Sequence, residues 1–309
     1  MTGPNHEPTH EHDHDVVIVG GGPAGCSAGV FTARYGLDTV MFDRGRSSIQ
    51  QCAYLENYLG FPAGVDIEMF YELMHDHAEE AGCEVVLDLV ESVEWADSDD
   101  GFVVEPQEGD AVTTRRVVAA TRYDGGYMRG LDDDSAMFKE SEHDGEIHET
   151  FDGDYADHDG TTPVDGLYVA SPSAEADRQA IMAAGRGARV GLRVLKDARE
   201  ELGYPQSITD HYDWMREKST LDGESGDRDP WREWFEEELP DDHDLAQDRR
   251  RALREHEIDR WFETYLSDDE IQQRADQGQE RLLDHIDDER IIARAQELQT
   301  DQKSADVND

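Results

Sequence analysis

The chain has 309 residues, enough for about two domains of ~150 residues, and carries 74 Asp and Glu against 28 Lys and Arg, a net charge of −46. This charge argues against nucleic acid and anionic membranes as partners, because phosphate recognition needs a basic surface. No apolar run approaches the ~18 residues of a membrane span, and the N-terminus lacks the pattern of a secretory signal, so we expect a soluble, cytoplasmic protein.

The acidic residues are spread along the whole chain rather than gathered in one tail. Such a surface repels itself at low salt and tolerates molar salt, where the Debye length shrinks to ~3 Å. Hydrophobic residues still make up 37% of the chain, so material for a core is present. We interpret the charge as halophilic adaptation to a salt-rich interior, and not as a functional signal.

The first fourteen residues are polar and lack apolar periodicity, which predicts a flexible tail over 1–14. Histidines in this tail offer a second role, the capture of a divalent metal. We favour the flexible tail, because a segment rich in His and acid binds metal adventitiously. The four histidines are His6, His10, His12 and His14.

A βαβ unit follows the tail. Residues 15–19 form a continuous apolar, β-branched run, which is typical of a buried parallel strand. A glycine-rich turn, a helical stretch over 24–35 and a second strand over 37–43 come next. This order of elements predicts an α/β fold of the Rossmann type.

The turn at residues 20–25 has the sequence GGGPAG and matches GxGxxG. Gly20 makes the tight turn, Gly22 lets the backbone approach a pyrophosphate, and Gly25 lets the helix pack closely on the strand. Free N–H groups and the positive dipole end of the helix are available to phosphates. Asp43 ends the second strand and supplies a carboxylate for ribose hydroxyls. With Gly29 at the next helical turn, these residues predict a dinucleotide site.

The following segments alternate helix and strand patterns. A helix is predicted over 66–82, and an acidic, loop-like connection over 131–165 contains a strand near 146–151. A strand at 166–170 leads into a long helix over 176–202. Short strands, including a small antiparallel element, are predicted at 83–87, 90–95, 101–105 and 116–120.

Residues 206–309 carry helical patterns with little strand signal. Ser267 and Glu270 form a capping-box signature, and apolar stripes of helical period run over 245–266 and 271–286. We interpret these stripes as core packing in preference to partner binding. The domain boundaries are therefore drawn as a tail (1–14), an α/β domain (15–205) and an α-helical extension (206–309).

Several motifs together resemble one flavoprotein family. Residues 15–43 are similar to the FAD-binding start of thioredoxin reductase-like proteins, in the pyridine nucleotide-disulfide oxidoreductase superfamily. Residues 56–62 (ENYLGFP) resemble the family's EN-x-x-GFP segment, and a G-x-EV strand follows at 82–85. The strand at 166–170 and the helix start at 177–188 (DRQAIMAAGRGA) resemble the returning strand and the RQA helix of the FAD domain.

The resemblance implies FAD as the cofactor and assigns positions to its parts. The pyrophosphate would lie at the glycine turn, the adenosine ribose at Asp43, and the adenine beside the backbone of Val86. Asn57 would face the flavin, and the segment at 178–180 would touch its pyrimidine edge, where the reduced ring carries negative charge. No side chain identifies itself as a catalytic acid or base. The candidate cofactor-binding residues are Gly20, Gly21, Gly22, Pro23, Ala24, Gly25, Asp43, Arg44, Gln51, Asn57, Val86, Ser171, Arg178, Gln179 and Ala180.

The chain departs from the family's pattern in several places. Complete members insert an NADPH domain with a CxxC between the two halves of the FAD domain, whereas here only the 35 residues 131–165 stand there, and no CxxC occurs. The family's ATG turn ends in Arg122, and its GD pair after the last strand reads Ser171-Pro172. These two changes alter FAD anchors.

The three cysteines are Cys26, Cys52 and Cys83. Cys52 follows the second strand, in a loop that wraps the flavin in relatives, so a reactive thiol is one interpretation. We favour a buried structural role for Cys52, as for the other two.

The sequence therefore predicts an FAD-dependent oxidoreductase that lacks its own NADPH domain. Its electrons would come from an external donor, either a nicotinamide nucleotide or a redox protein, and a homodimer is one option for its assembly. The alternative is a non-catalytic flavin- or nucleotide-binding module that acts through a partner. NAD in the same pocket is a third interpretation.

Overall fold

The computed structural model describes residues 12–96, 100–122, 125–143, 146–173, 179–210, 215–240, 243 and 245–306. The chain divides into two compact units, one ending at Ala198 and one beginning at Arg199. This division falls within a long helix, and the domain boundary drawn after residue 205 stays a prediction.

The N-terminal unit contains most of the strands. Its helices are α1 (Pro23–Arg34), α2 (Ile67–Glu80), the short α3 (Asp134–Met137) and α4 (Ala180–Glu201), which runs across the division. Its strands are β1 (His14–Val19), β2 (Thr39–Phe42), β3 (Glu84–Val86), β4 (Val90–Trp95), β5 (Phe102–Pro106), β6 (Val112–Ala120), β7 (Phe138–His143), β8 (Glu146–Phe151) and β9 (Leu167–Ser171).

A seven-stranded sheet forms the centre of this unit. Strands β3, β2, β1 and β6 are adjacent and parallel, and β9 adds a further parallel strand beside the C-terminal half of β6. The N-terminal half of β6 pairs instead with β5, which continues the sheet into the antiparallel pair β4–β5. The predicted α/β fold of the Rossmann type, with a small antiparallel element, is confirmed.

Alternate residues of the central strands build two cores. On β1, Val16 and Ile18 face the helices, and their cluster includes Ala28 of α1 and Val190 of α4. Val17 and Val19 of the same strand face the opposite side, where the antiparallel strands and the segment after β6 cover them. Both faces of β1 are buried from Val16 to Val19, which explains why these four residues are all apolar.

Two boundaries in this unit differ from the predictions. Strand β1 begins at His14, and Asp13 just before it accepts a hydrogen bond from the Thr113 backbone N–H over 2.8 Å. The predicted tail over 1–14 therefore included residues that belong to the folded unit. His6 and His10 lie outside the described residues. The connection over 131–165 contains the predicted strand β8, but β8 pairs with β7, which was missed.

The C-terminal unit is mainly helical within the part of the chain that the structure describes. A core of Tyr204, Ile208, Phe235 and Leu253 lies at its centre. Its helices beyond α4 are α5 (Gln206–Thr209), α6 (Asp229–Glu238), α7 (Gln247–Phe262), α8 (Asp268–Leu283) and α9 (Asp288–Asp306), and its two short strands are β10 (Glu217–Lys218) and β11 (Tyr265–Leu266).

The capping box at α8 is confirmed, because Ser267 and Glu270 bond reciprocally. The stripe over 245–266 buries Leu253 and Ile258, as predicted. The stripe over 271–286 does not: α8 has no buried side chain, and Leu282 is 55% exposed. The prediction of core packing is therefore wrong for α8, because the described residues of this unit do not cover it.

An ion pair lies inside the C-terminal unit. Arg199 Nη2 donates to Glu257 Oε2 over 3.0 Å, and both side chains are almost fully buried. Arg199 Nη2 also donates to the Ile208 carbonyl over 2.9 Å.

Among the described residues, every helix is too short or too polar to cross a lipid bilayer.

Candidate dinucleotide site

The glycine turn joins the C-terminal end of β1 to the start of α1. The Gly20 N–H donates to the Phe42 carbonyl of β2 over 2.8 Å, and Gly20 has φ +114°. A Cβ at this position would lie 2.6 Å from the Ala120 carbonyl oxygen of β6. The turn at Gly20 therefore requires glycine both for its backbone conformation and for its close approach to β6.

The other glycines of the turn are crowded in different ways. A Cβ at Gly21 would lie 2.6 Å from the Asp43 Cγ, and one at Gly25 would collide with the Gly20 carbonyl. A Cβ at Gly22 would meet the side chain of Ser47, with Oγ at 2.8 Å, so this residue borders the segment after β2. Gly21 and Gly25 are thus needed for packing, whereas the absence of a side chain at Gly22 leaves room beside the turn.

Helix α1 begins without a side-chain cap. Gly22 is its N-cap, Pro23 occupies the first turn, and Ala24 is buried against the sheet. Since the described residues place no side-chain cap on this N-terminus, its free N–H groups and the helix dipole are available to an anion. The turn therefore fits the diphosphate of a dinucleotide.

Asp43 lies at the end of β2, where the sequence places the ribose acceptor, and it is 2% exposed. Its backbone N–H donates to the Val86 carbonyl of β3 over 2.8 Å. Its Oδ1 accepts from the Gly45 N–H over 3.1 Å, and its Oδ2 accepts a hydrogen bond from the Tyr71 hydroxyl. Both carboxylate oxygens of Asp43 therefore already accept hydrogen bonds from within the protein.

Tyr71 and His75 extend from α2 to the glycine turn and were not predicted as site residues. His75 Nε2 lies 3.0 Å from the Gly21 carbonyl and 3.5 Å from Asp43 Oδ2. Burial and the hydrogen bond to Asp43 raise the pKa of the Tyr71 hydroxyl well above its usual range. Their i, i+4 spacing was visible in the sequence, but the partner of that helix face was not.

Arg122 occupies the end of the turn after β6 with φ +68°, a left-handed conformation that favours glycine. Its Nη1 donates to Ser48 Oγ over 2.8 Å. The neighbouring Thr121 N–H donates to the Ser171 carbonyl over 3.1 Å, which places buried Ser171 beside this turn.

Asn57 and Gln179, both predicted at the flavin, are brought together across 122 residues. Asn57 Nδ2 donates to Gln179 Oε1 over 2.6 Å, and both side chains are exposed. Ala180 is the first residue of α4, and Arg178 lies outside the described residues.

The two remaining side chains of the candidate set lie beyond β2. Arg44 and Gln51 are both exposed, and Gln51 ends the short 3-10 helix Ser48–Gln51.

The cysteines divide into two kinds. Cys26 and Cys83 are buried, as predicted, and burial raises the pKa of each thiol, that of Cys83 to about 12. Both thiols are therefore protonated and unreactive near neutral pH. Cys52 is exposed, so the prediction of a buried structural role is wrong for this residue.

Part of this chain is similar in sequence to known proteins. Residues 14–128 match the family model for pyridine nucleotide-disulphide oxidoreductase. The thioredoxin reductase of Bacillus subtilis is 38% identical over 78 residues, which cover 25% of this chain and 24% of that protein. This stretch is thioredoxin reductase-like. The thioredoxin reductase of Listeria monocytogenes is 46% identical over 55 residues, 17% of each chain.

The matched stretch spans about a quarter of the length of these relatives or less. Among solved structures, a thioredoxin reductase from Gloeobacter violaceus aligns over 60% of this chain and 95% of its own, with 18% identity and a TM-score of 0.49. The Lactococcus lactis thioredoxin reductase aligns over 61% and 100%, with 16% identity and a TM-score of 0.47. Residues 14–128, which match the family model, contain the glycine turn, Asp43, Tyr71, His75 and Arg122.

Proposed function

We propose that this chain binds FAD and acts as a flavin-dependent oxidoreductase. The observation that carries the proposal is the uncapped glycine turn at the start of α1, next to the carboxylate that ends β2. This turn lies within the stretch that matches a family of oxidoreductases. Bound FAD would supply the electron-transfer chemistry, while the protein would supply position and electrostatics.

Each part of the cofactor has candidate residues. The N–H groups at Gly20–Gly25 would bind the diphosphate, and Asp43 would accept from the ribose. The adenine would lie beside the Val86 backbone. The pair formed by Asn57 and Gln179, with Ala180 at the start of α4, would contact the flavin, as would Arg178.

The electrons would come from outside the chain. Its three cysteines, Cys26, Cys52 and Cys83, contain no CxxC, and residues 131–165 hold a two-stranded hairpin in place of a second dinucleotide fold. These features argue against a disulfide relay within this chain. We propose a nicotinamide nucleotide or a redox protein as the donor, in the cytoplasm of a cell that accumulates salt.

A second candidate is a nucleotide-binding module without catalysis. It is favoured by Asp43, whose carboxylate is already bound to Tyr71, and by Arg122 at a turn where a glycine would fit more easily. In this case the C-terminal helices would mediate contact with a partner.

The visible absorption spectrum of protein purified in molar KCl, with and without added FAD, separates the two candidates. Bands near ~370 and ~450 nm that stay with the protein through gel filtration support the flavoprotein. A colourless protein that does not retain added FAD contradicts it, and the second candidate is then preferred.

A further inference from the structure

The carboxylate of Asp43 is closed off by the protein itself. Oδ1 accepts from the Gly45 N–H, and Oδ2 accepts from the Tyr71 hydroxyl and lies 3.5 Å from His75 Nε2. The residue is 2% exposed, so a ligand hydroxyl reaches this carboxylate only by displacing one of these groups.

Of these groups, the Tyr71 hydroxyl is the one most easily exchanged. The Gly45 N–H belongs to the backbone two residues beyond Asp43, and His75 is held at a second point. A carbonyl only accepts, so the 3.0 Å contact of His75 Nε2 with the Gly21 carbonyl requires the hydrogen on Nε2. The Tyr71 hydroxyl, by contrast, has Asp43 as its hydrogen-bond acceptor, and the tyrosine ring is only partly buried.

A hydroxyl donating to a carboxylate oxygen is also what a ribose presents to an acidic residue. We propose that Tyr71 is an internal competitor of the ribose: its hydroxyl occupies the Asp43 oxygen that an adenosine nucleotide needs. Tyr71 thereby sets the affinity and the selectivity of the site for nucleotides that carry ribose hydroxyls. This inference rests on the proposed nucleotide site at the glycine turn.

The proposal predicts the sign of a substitution. Tyr71→Phe keeps the ring, which lies 4.4 Å from the His75 ring, and removes only the hydroxyl. Asp43 Oδ2 then loses its hydroxyl donor, and a ribose hydroxyl can take that place. Because hydrogen bonds to charged groups are strong, the affinity for ADP should rise about tenfold or more.

The test compares ADP with 2′,3′-dideoxy-ADP, which keeps the adenine and diphosphate but lacks the ribose hydroxyls. Dissociation constants are measured by calorimetry in molar KCl for the natural chain and for Tyr71→Phe. Tyr155→Phe is the matched control, since it also removes a tyrosine hydroxyl that donates to an aspartate, here Asp132, over 2.8 Å. The Tyr155 ring packs on the other core, on the face of the sheet opposite the helices. Circular dichroism checks folding, and Tyr71→Met replaces Tyr71→Phe if the latter unfolds.

Tighter binding of ADP by Tyr71→Phe, with dideoxy-ADP and the Tyr155→Phe control unchanged, supports the proposal. It is overturned if ADP binding stays the same or weakens, if both nucleotides gain equally, or if no form binds ADP. FAD retention is scored separately by absorbance. A chain that binds ADP but never retains FAD would refute the proposed flavoprotein and leave the role of Tyr71 standing.

Discussion

Arg122 Nη1 donates to Ser48 Oγ over 2.8 Å and so connects the turn after β6 to the segment after β2. Both ends of this contact border the glycine turn: Thr121 N lies 3.3 Å from the Cβ position of Gly20, and Ser47 Oγ lies 2.8 Å from that of Gly22. The contact therefore places a guanidinium beside the proposed diphosphate site in a chain of strong negative charge. Arg122 holds this position from a left-handed backbone conformation.

The backbone conformation of Arg122 predicts an unusual order of stability. Both Arg122→Gly and Arg122→Ala lose the hydrogen bond to Ser48, but only alanine keeps the steric cost of φ +68°. We expect Arg122→Gly to be more stable than Arg122→Ala by about 1 kcal/mol. Urea unfolding in molar KCl measures the difference. Equal stabilities would show that this turn relaxes when the arginine is removed.

Gly22→Val is expected to abolish nucleotide binding while leaving the fold intact. The new side chain would enter the space between Ser47 and the start of α1, where the diphosphate is proposed to bind. Binding of ADP and of FAD is measured by titration. Gly278→Ala on α8, where a Cβ meets nothing within 4 Å, is the control and should bind as the natural chain does. Unchanged cofactor occupancy in Gly22→Val would exclude the glycine turn as the site.

Glu257→Gln is expected to destabilise the C-terminal unit by about 3 kcal/mol, because it leaves the buried Arg199 guanidinium without a counter-charge. Glu297→Gln breaks a pair with Arg294 of similar length, but there both side chains are about two-thirds exposed. Its expected cost is within about 0.5 kcal/mol. The two variants are compared by thermal unfolding at the same KCl concentration. Similar losses of stability in the two variants would show that burial does not strengthen the effect of breaking the Arg199–Glu257 pair.

The net charge of −46 predicts that the fold loosens as salt is removed. Between ~1 M and ~0.1 M salt the Debye length grows from ~3 to ~10 Å, so repulsion reaches across the surface. The midpoint of thermal unfolding, followed by circular dichroism, should fall steadily over this range. Replacing KCl with an uncharged osmolyte should not fully restore the midpoint of thermal unfolding, because an osmolyte does not screen charge. A midpoint that is independent of KCl would refute the salt-adapted surface.

The fold of the N-terminal unit was predictable because its signals are local. Residues 16–19 are apolar in succession since both faces of β1 are buried there, and the glycines that follow are required by contacts within a few residues or with the adjacent strand. Strand β7 was missed because it carries no such local signal. Its sequence FKESEH contains one large apolar residue, Phe138, so apolar and polar residues do not alternate along it.

The candidate site was only partly predictable. The glycine turn and Asp43 follow from a pattern of spacing, but the contact of Tyr71 and His75 with Asp43 depends on how α2 lies beside the turn, which no local pattern encodes. The stripe on α8 shows the opposite failure, since helical periodicity predicts a face and not what covers it.

Strand β1 pairs through Val17 with Val40 on one side and with Val117 on the other. Strand β2 is synthesised soon after β1, but β6 is synthesised only after the ribosome has added about a hundred further residues. At ~5–20 residues per second, the β6 edge of β1 stays open for roughly 5–20 s in every nascent chain. Mutual repulsion between such acidic chains would keep that edge from pairing with another copy during synthesis.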